Sequence, residues 1–325
     1  MKAALCKSLD GPDAIVIEDV PDPIPGPGEV LVRIKTAALN FLDTLITRGK
    51  YQFKPQLPFS PGAEFAGVVE QLGPDVAGLS VGQRVCGYLG WGSVREKVAV
   101  KAVQLAAIPN GVSDEAAASV SVTYGTAMHG LKDRGRLKPG ETVAVLGAAG
   151  GAGLAAVEIA KLIGARVIAV ASSEEKLAVC RQHGADELLN YSAIDLKQGL
   201  RDLTGGRGVD IIYDCIGGEH SEAALRSIAW MGRFLVVGFA AGSIPRIPLN
   251  LLLLKSCDLI GVFWGEAASR DPAGHRANLR AVLEWVASGR LKPHIHATYP
   301  LAETAQAIKV LDRREATGKV VIAVS

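Results

Sequence analysis

The stretch Gly147-Ala-Ala-Gly-Gly-Ala-Gly153 constrains this chain more than any other, because of what flanks it. Before it, Thr142-Val-Ala-Val-Leu146 is a short continuous apolar run behind Pro139-Gly140, the pattern of a strand buried on both faces. After it, Leu154 to Ala165 carries apolar residues at Val157, Ile159, Ala160, Leu162 and Ile163 and closes at Gly164, as an amphipathic helix does. Strand, glycine turn and helix in this order bring free N–H groups and the positive end of a helix dipole to one point. The glycines let a pyrophosphate approach the backbone there. A nucleotide cofactor is the first expectation.

The remaining sequence shows two textures. Up to about residue 110, short β-type runs alternate with Pro/Gly punctuation: Ala14 to Val20, Glu29 to Leu39, Glu64 to Leu72, Gln83 to Leu89 and Val94 to Val100. The prolines of Pro21-Asp-Pro-Ile-Pro-Gly-Pro-Gly28 cannot donate to a ladder, so that segment is a connector. This half reads as a mostly β domain with a barrel-like core. From about residue 114 the rhythm changes. Strands are expected at Val143–Leu146, Val167–Ala171, Val209–Asp214, Phe234–Gly238 and Leu259–Phe263. Helices are expected between them at Glu174–His183, Leu196–Leu203, Ser221–Trp230 and Leu249–Lys255. Such alternation implies a doubly wound α/β sheet. The tail holds two helices, Arg276–Ser288 and Ala302–Arg313, and a last strand, Lys319–Val324, and is expected to return to the first domain. The expected division is 1–122 with 266–325, and 123–265.

Composition excludes several classes. At 325 residues the chain suits two domains, and 49% hydrophobic content with 37 glycines fits a globular α/β enzyme. Lys plus Arg number 35 against 33 Asp plus Glu, a net charge of +2, so nothing calls for nucleic acid or an anionic membrane as partner. The N-terminus, Met1-Lys-Ala-Ala-Leu-Cys-Lys7, is unlike a signal peptide, and no run approaches the roughly 18 apolar residues of a membrane span. Five scattered cysteines, Cys6, Cys86, Cys180, Cys215 and Cys257, fit reduced thiols in the cytoplasm better than a disulfide framework.

The residues after the second expected strand of the α/β half choose the dinucleotide. An NAD site ends that strand with Asp or Glu, which bonds the ribose 2′-hydroxyl. Here Arg166-Val-Ile-Ala-Val-Ala171 runs into Ser172-Ser173, with Lys176 following. Hydroxyls and an ammonium suit a 2′-phosphate. Glu174 and Glu175 fall in the first helical turn, where the dipole favours them and they can point away. NADP is therefore expected over NAD.

The glycine loop, Val170-Ala-Ser-Ser-Glu-Glu-Lys176, Asn190-Tyr191, Asp210-Ile-Ile-Tyr-Asp214 and Gly238-Phe-Ala-Ala-Gly242 together resemble the quinone oxidoreductase (zeta-crystallin-like) group of the medium-chain dehydrogenase/reductase superfamily. The resemblance spans the chain. It includes Leu39-Asn-Phe-Leu-Asp43, Arg48-Gly-Lys-Tyr51, Pro61-Gly-Ala-Glu-Phe-Ala-Gly67 and Gly318-Lys-Val-Val321. It implies a GroES-like, mostly β catalytic domain beside a Rossmann domain, and commonly a homodimer. It also implies that Gly147, Gly150, Gly151, Ala152 and Gly153 cradle the cofactor, with Ser172, Ser173, Lys176 and Tyr191 around the 2′-phosphate. By the same resemblance, Thr123 and Asn40 lie on the nicotinamide side and Lys319 reaches the phosphates. Phe239 and the Phe263-Trp-Gly265 backbone line the cofactor cleft between the domains.

Zinc-dependent members of the superfamily carry Cys where this chain has Asn40, and Gly-His-Glu where it has Gly62-Ala63-Glu64. No two cysteines lie within thirty residues, and His294 and His296 have no third ligand nearby, so no metal is expected. Without zinc to stabilise an alkoxide, the expected chemistry is hydride transfer from NADPH to a quinone or α,β-unsaturated carbonyl compound. Tyr51 is the candidate proton donor or oxygen-binding group, with packing on the rim as its plain alternative, and Asn40 orients the nicotinamide ribose or the acceptor. Asp43 is expected to be a local structural acceptor. Leu45 replaces a tyrosine common in the family, which makes the acceptor pocket more apolar and sets it apart from that of a simple benzoquinone reductase. A 2-enoyl-thioester reductase would use the same cofactor and the same Tyr51. A non-catalytic NADPH-binding protein is the alternative of a different class, and a zinc-type NAD-dependent alcohol dehydrogenase is disfavoured by the missing ligands.

Overall fold

The computed structural model describes residues 1–325, and the chain divides into two units: Met1–Val122 with Ala267–Ser325, and Thr123–Glu266. The strands in chain order are, in the first unit, β1 (Lys2–Cys6), β2 (Ile15–Asp19), β3 (Glu29–Leu39), β4 (Glu64–Leu72), β5 (Arg84–Tyr88), β6 (Lys97–Lys101) and β7 (Leu105–Ala107). The second unit holds β8 (Thr142–Leu146), β9 (Arg166–Ala171), β10 (Glu187–Asn190), β11 (Val209–Asp214), β12 (Ile228–Val236) and β13 (Asp258–Gly261). The chain then returns to the first unit for β14 (Ile295–Pro300) and β15 (Lys319–Ala323).

In the first unit one sheet runs β14-β15-β3-β4-β5-β7, with β6 also on β3; all its pairs are antiparallel except β14 with β15. The 11-residue β3 is the hub. One edge pairs with β4, while the other carries β6 along Glu29–Arg33 and β15 along Thr36–Leu39. Its inward residues Val30, Val32, Ile34 and Leu39 join Phe65, Val85, Ile308 and Val320 in one buried cluster. Three strand ends meet at one end of this sheet, because antiparallel pairing sets the finish of β3 beside the starts of β4 and β15.

The second unit holds six parallel strands in the order β10-β9-β8-β11-β12-β13. The chain steps outward from β8 to β10, then crosses back to place β11 on the other side of β8, the doubly wound arrangement. Helices flank the sheet, including Thr123–Ala127 (α1), Gly151–Ile163 (α2), Glu174–Gln182 (α3) and Glu219–Leu225 (α4). Covered on both faces, β8 is buried at every residue, which explains its unbroken apolar run. Ligands in such sheets bind beyond the carboxyl ends of the strands where the winding reverses, here after Leu146 and after Asp214.

The structure corrects one element. The helix expected over Ser221–Trp230 ends at Leu225, and Ile228–Val236 is strand. Ile228 pairs with Val209, and Met231 adopts φ 58° at an irregularity of the β11–β12 ladder, so tertiary pairing overrides helical propensity. Trp230 and Met231 are left exposed. All five cysteines are free thiols. No helix is long and apolar enough to cross a membrane.

Candidate active site

The glycine loop closes the carboxyl end of β8. Gly147 takes φ 72°, a left-handed conformation that glycine adopts without strain, and the N–H groups of Gly147 and Ala148 donate to the Val170 carbonyl at 3.0 and 3.1 Å. Gly150 caps α2 in extended geometry, so Gly151, Ala152 and Gly153 supply the first N–H groups of a 13-residue helix, which have no acceptor within it. A Cβ on Gly153 would strike the Gly147 carbonyl and the Ala148 backbone. The loop therefore depends on glycine for its own packing, and the donors at its helix end suit a phosphate.

Beyond β9 the structure gathers Ser172, Ser173, Lys176 and the segment around Tyr191. Ser173 caps α3, its hydroxyl accepting the Lys176 N–H at 3.4 Å, and Lys176 Nζ donates to Ser172 Oγ at 3.3 Å. Ser192 Oγ donates to the Ser172 carbonyl at 3.1 Å, and the Tyr191 N–H donates to the Ala171 carbonyl at 3.1 Å. The two acids lie in the first turn of α3. Glu174 accepts from Asn190 Nδ2 at 2.8 Å, and the Ser173 hydroxyl holds the Glu175 carboxyl below its ordinary range. Each carboxylate thus has a local donor. Sequence reading missed His220, whose ring lies 4.4 Å from that of Tyr191, because only the fold brings the start of α4 beside the end of β10.

The other second-unit candidates are placed by glycines and by one carboxylate. Asp214 ends β11, accepts the N–H groups of Ile216 and Gly217 at 2.8 and 2.9 Å, and takes the Ser221 hydroxyl at 2.5 Å. It shapes the loop against which Phe239 lies, since a Cβ on Gly217 would come within 2.8 Å of Phe239. Phe239 and Phe263 are partly exposed, while Thr123 is buried at the start of α1. Trp264 packs on Gly125 of that helix, and Gly265 follows it in the helix Trp264–Arg270.

In the first unit Asn40, Glu64 and Lys319 form one buried cluster at the shared end of β3, β4 and β15. Lys319 Nζ donates to Asn40 Oδ1 at 2.6 Å, Glu64 Oε1 at 2.7 Å and the Leu39 carbonyl at 3.0 Å. Asn40 Nδ2 donates to Glu64 Oε1 at 3.0 Å, and Glu64 Oε2 accepts the Val122 N–H at 2.7 Å. Lys319 is 3% exposed and all three of its N–H donors are taken. Its ammonium is thus engaged by Glu64, Asn40 and the Leu39 carbonyl, a set of partners that the phosphate contact expected of it did not include.

Asp43 lies beside this cluster, fully buried, in the short helix Phe41–Ile46. It accepts the Asn40 N–H through Oδ2 and the Gly62 N–H through Oδ1, both at 2.8 Å. Burial outweighs these donors and the nearby Lys319 charge, and pushes its carboxyl up to about 6. Tyr51 packs against Cys6, Ile46 and Phe59, with its ring 6.0 Å from that of Phe53. Burial, with the charge of Asp43, raises the Tyr51 phenol, which keeps it protonated at neutral pH. Tyr88, opposite Glu64 in the β4–β5 ladder, is raised chiefly by burial and then by Tyr51 and Glu64. It is a second half-buried phenol, which sequence reading passed over.

The family described as alcohol dehydrogenase GroES-like domain matches residues 26–110, and that described as zinc-binding dehydrogenase matches 151–288. Quinone oxidoreductase-like protein 2 of Rattus norvegicus is 41% identical over 323 residues, covering 99% of this chain and 91% of that protein. The chain belongs to the quinone oxidoreductase-like family of medium-chain dehydrogenases/reductases. Among solved structures of similar proteins, Escherichia coli quinone oxidoreductase complexed with NADPH superposes with TM-score 0.92 at 26% identity, covering 99% of this chain and 100% of that one. A mycobacterial protein complexed with NADPH gives TM-score 0.92 at 32% identity, again covering 99% and 100%. The quinone oxidoreductase-like fold thus comprises a GroES-like unit and a Rossmann unit.

No three His, Cys, Asp or Glu side chains gather to hold a metal ion. Where zinc-dependent relatives place ligands stand Asn40, Ala63 and Glu64, and Glu64 is already paired with an ammonium.

Asp43 gives a signed pH prediction. A carboxyl raised in the folded state contributes stability below its unfolded pKa, and that contribution is lost as pH rises through about 6. Asp43→Asn removes this titration and leaves one backbone N–H without an acceptor, at a cost of roughly 1–3 kcal/mol. Thermal melts should show a gap between wild type and variant that is widest near pH 4 and narrows towards pH 7. A gap that widens with pH would contradict the assignment.

Proposed function

We propose that this protein is an NADPH-dependent, zinc-independent oxidoreductase that reduces a quinone or another α,β-unsaturated carbonyl compound. The observation that carries the reading is the group Ser172, Ser173, Lys176 and Tyr191 beyond β9, with no acidic residue closing the strand. It is supported by the glycine loop and by the NADPH held in two similar structures.

In this reading the N–H groups of Gly151, Ala152 and Gly153 face the pyrophosphate, and Gly147 and Gly150 shape the turn that lets it approach. Ser172, Ser173 and Lys176 bind the 2′-phosphate as charge-assisted donors, with Tyr191 beside it. Thr123, Phe239, Phe263 and Gly265 border the cofactor's remaining surface. NADPH, when bound, supplies the hydride. Asn40 presents an amide N–H to the nicotinamide ribose or the acceptor. Tyr51, held neutral, donates to the oxygen on which negative charge develops as the conjugated system is reduced. Leu45 adds an aliphatic wall. A carbonyl conjugated to a double bond spreads the incoming charge onto its oxygen, so hydrogen-bond donors suffice where an alcohol dehydrogenase needs a Lewis acid.

Lys176→Ala should raise the NADPH dissociation constant at least tenfold, measured by nucleotide fluorescence, and leave that of NADH within about twofold. Equal weakening of both would remove Lys176 from the phosphate site. Tyr51→Phe should lower kcat with an enone severalfold at an unchanged NADPH dissociation constant; an unchanged kcat would reduce Tyr51 to a packing residue.

A further inference from the structure

The buried cluster in the first unit fixes more than charge. Lys319 has only donors and the Glu64 carboxylate only acceptors, so Asn40 between them has a single way round. Its Oδ1 must face the ammonium, at 2.6 Å, and its Nδ2 the carboxylate, at 3.0 Å. Turning the amide over would set Nδ2 against an ammonium and Oδ1 against a carboxylate, two repulsive contacts in a buried site. The backbone of Asn40 is held as well, through its N–H to Asp43.

Two charged groups from distant stretches of chain therefore bond this one carboxamide, the Lys319 ammonium and the Glu64 carboxylate, while Asp43 takes the Asn40 backbone N–H and the Leu39 carbonyl shares the ammonium. Glu64 Oε1 takes one of the two Nδ2 hydrogens. The other is the polar hydrogen that the network leaves over. An ammonium on Oδ1 draws electron density from the amide and makes that remaining N–H a stronger donor.

We propose that Lys319 is a positioning residue, which with Glu64 locks and polarises the Asn40 carboxamide so that its second Nδ2–H is aimed at the reacting partners. The proposal deepens the reductase reading and rests on it only for the effect on turnover. Lys319 itself touches neither acceptor nor cofactor. It acts through Asn40, and its ammonium stays in place through the reaction.

Removing one partner of a buried ion pair also destabilises the protein, so stability and positioning must be read separately. In Lys319→Met, kcat should fall at least tenfold while the NADPH dissociation constant stays within about twofold. Lys319→Met/Glu64→Gln removes both charges and should recover most of the lost melting temperature while kcat stays low. Recovery of kcat together with stability would overturn the proposal, since Lys319 would then only neutralise Glu64. In an Asn40→Ala background, Lys319→Met should lower kcat by less than about twofold; a further tenfold loss would mean that Lys319 does not act through Asn40.

A readout independent of turnover is the Asn40 side-chain amide in nitrogen-15 NMR. Wild type should show one Nδ2 hydrogen protected from exchange and one not. The double variant, which keeps its fold, should show faster exchange of the protected hydrogen and a shifted resonance. An unchanged amide signal would refute the positioning whatever the acceptor proves to be. A changed signal in a protein that reduces no quinone or enone would uphold the positioning and overturn the functional reading alone.

Discussion

The ion pair between Lys319 and Glu64 is the constraint on which the first unit depends. Bringing an ammonium and a carboxylate out of water costs several kcal/mol each, and the cost is offset only where every donor and acceptor finds a partner. Here each does: three acceptors surround Nζ, and the carboxylate takes Asn40, Lys319 and the Val122 N–H. Losing one partner would leave a charge buried alone, a penalty of roughly 3–5 kcal/mol. The pair ties the start of β15, more than two hundred residues downstream, to the start of β4 across the end of β3. The contacts at this end of the sheet also hold the Asn40 carboxamide in one orientation.

The second unit follows a different logic. Its central strand β8 is buried at every residue, and the turns at the carboxyl ends of β8 and β11 carry the shaped loops. The winding reverses between β8 and β11, which opens the space after Leu146 and Asp214. Glycine is required in the first turn, where Gly153 packs on the Gly147 carbonyl, and a carboxylate shapes the second, where Asp214 holds the backbone of Ile216 and Gly217. Neighbouring strand β9 is followed by the hydroxyls of Ser172 and Ser173 rather than by an acid, the feature on which the proposed binding of the 2′-phosphate rests.

Much of this was legible in the sequence. The glycine loop, the alternation of strand and helix and the serines after β9 are local signals, each carried by a few adjacent residues. What was not legible required contacts between distant ones. The phosphate role expected of Lys319 followed from resemblance, whereas its burial against Glu64 depends on a pairing across 255 positions. Tyr88 and His220 gave no local signal, because their neighbours Glu64 and Tyr191 come from other stretches of the chain. The helix read over Ser221–Trp230 overran because Ile228 and its neighbours are claimed by β11, a tertiary partner invisible to periodicity.

The central claim is hydride transfer from NADPH to a conjugated carbonyl, as proposed. Incubating the protein with an α,β-unsaturated ketone and NADPH deuterated at both C4 positions tests it directly. The account predicts slower turnover than with unlabelled NADPH and a saturated product bearing one deuterium at its β-carbon. A product without deuterium at that carbon, or NADPH consumption no faster than in buffer, would contradict it.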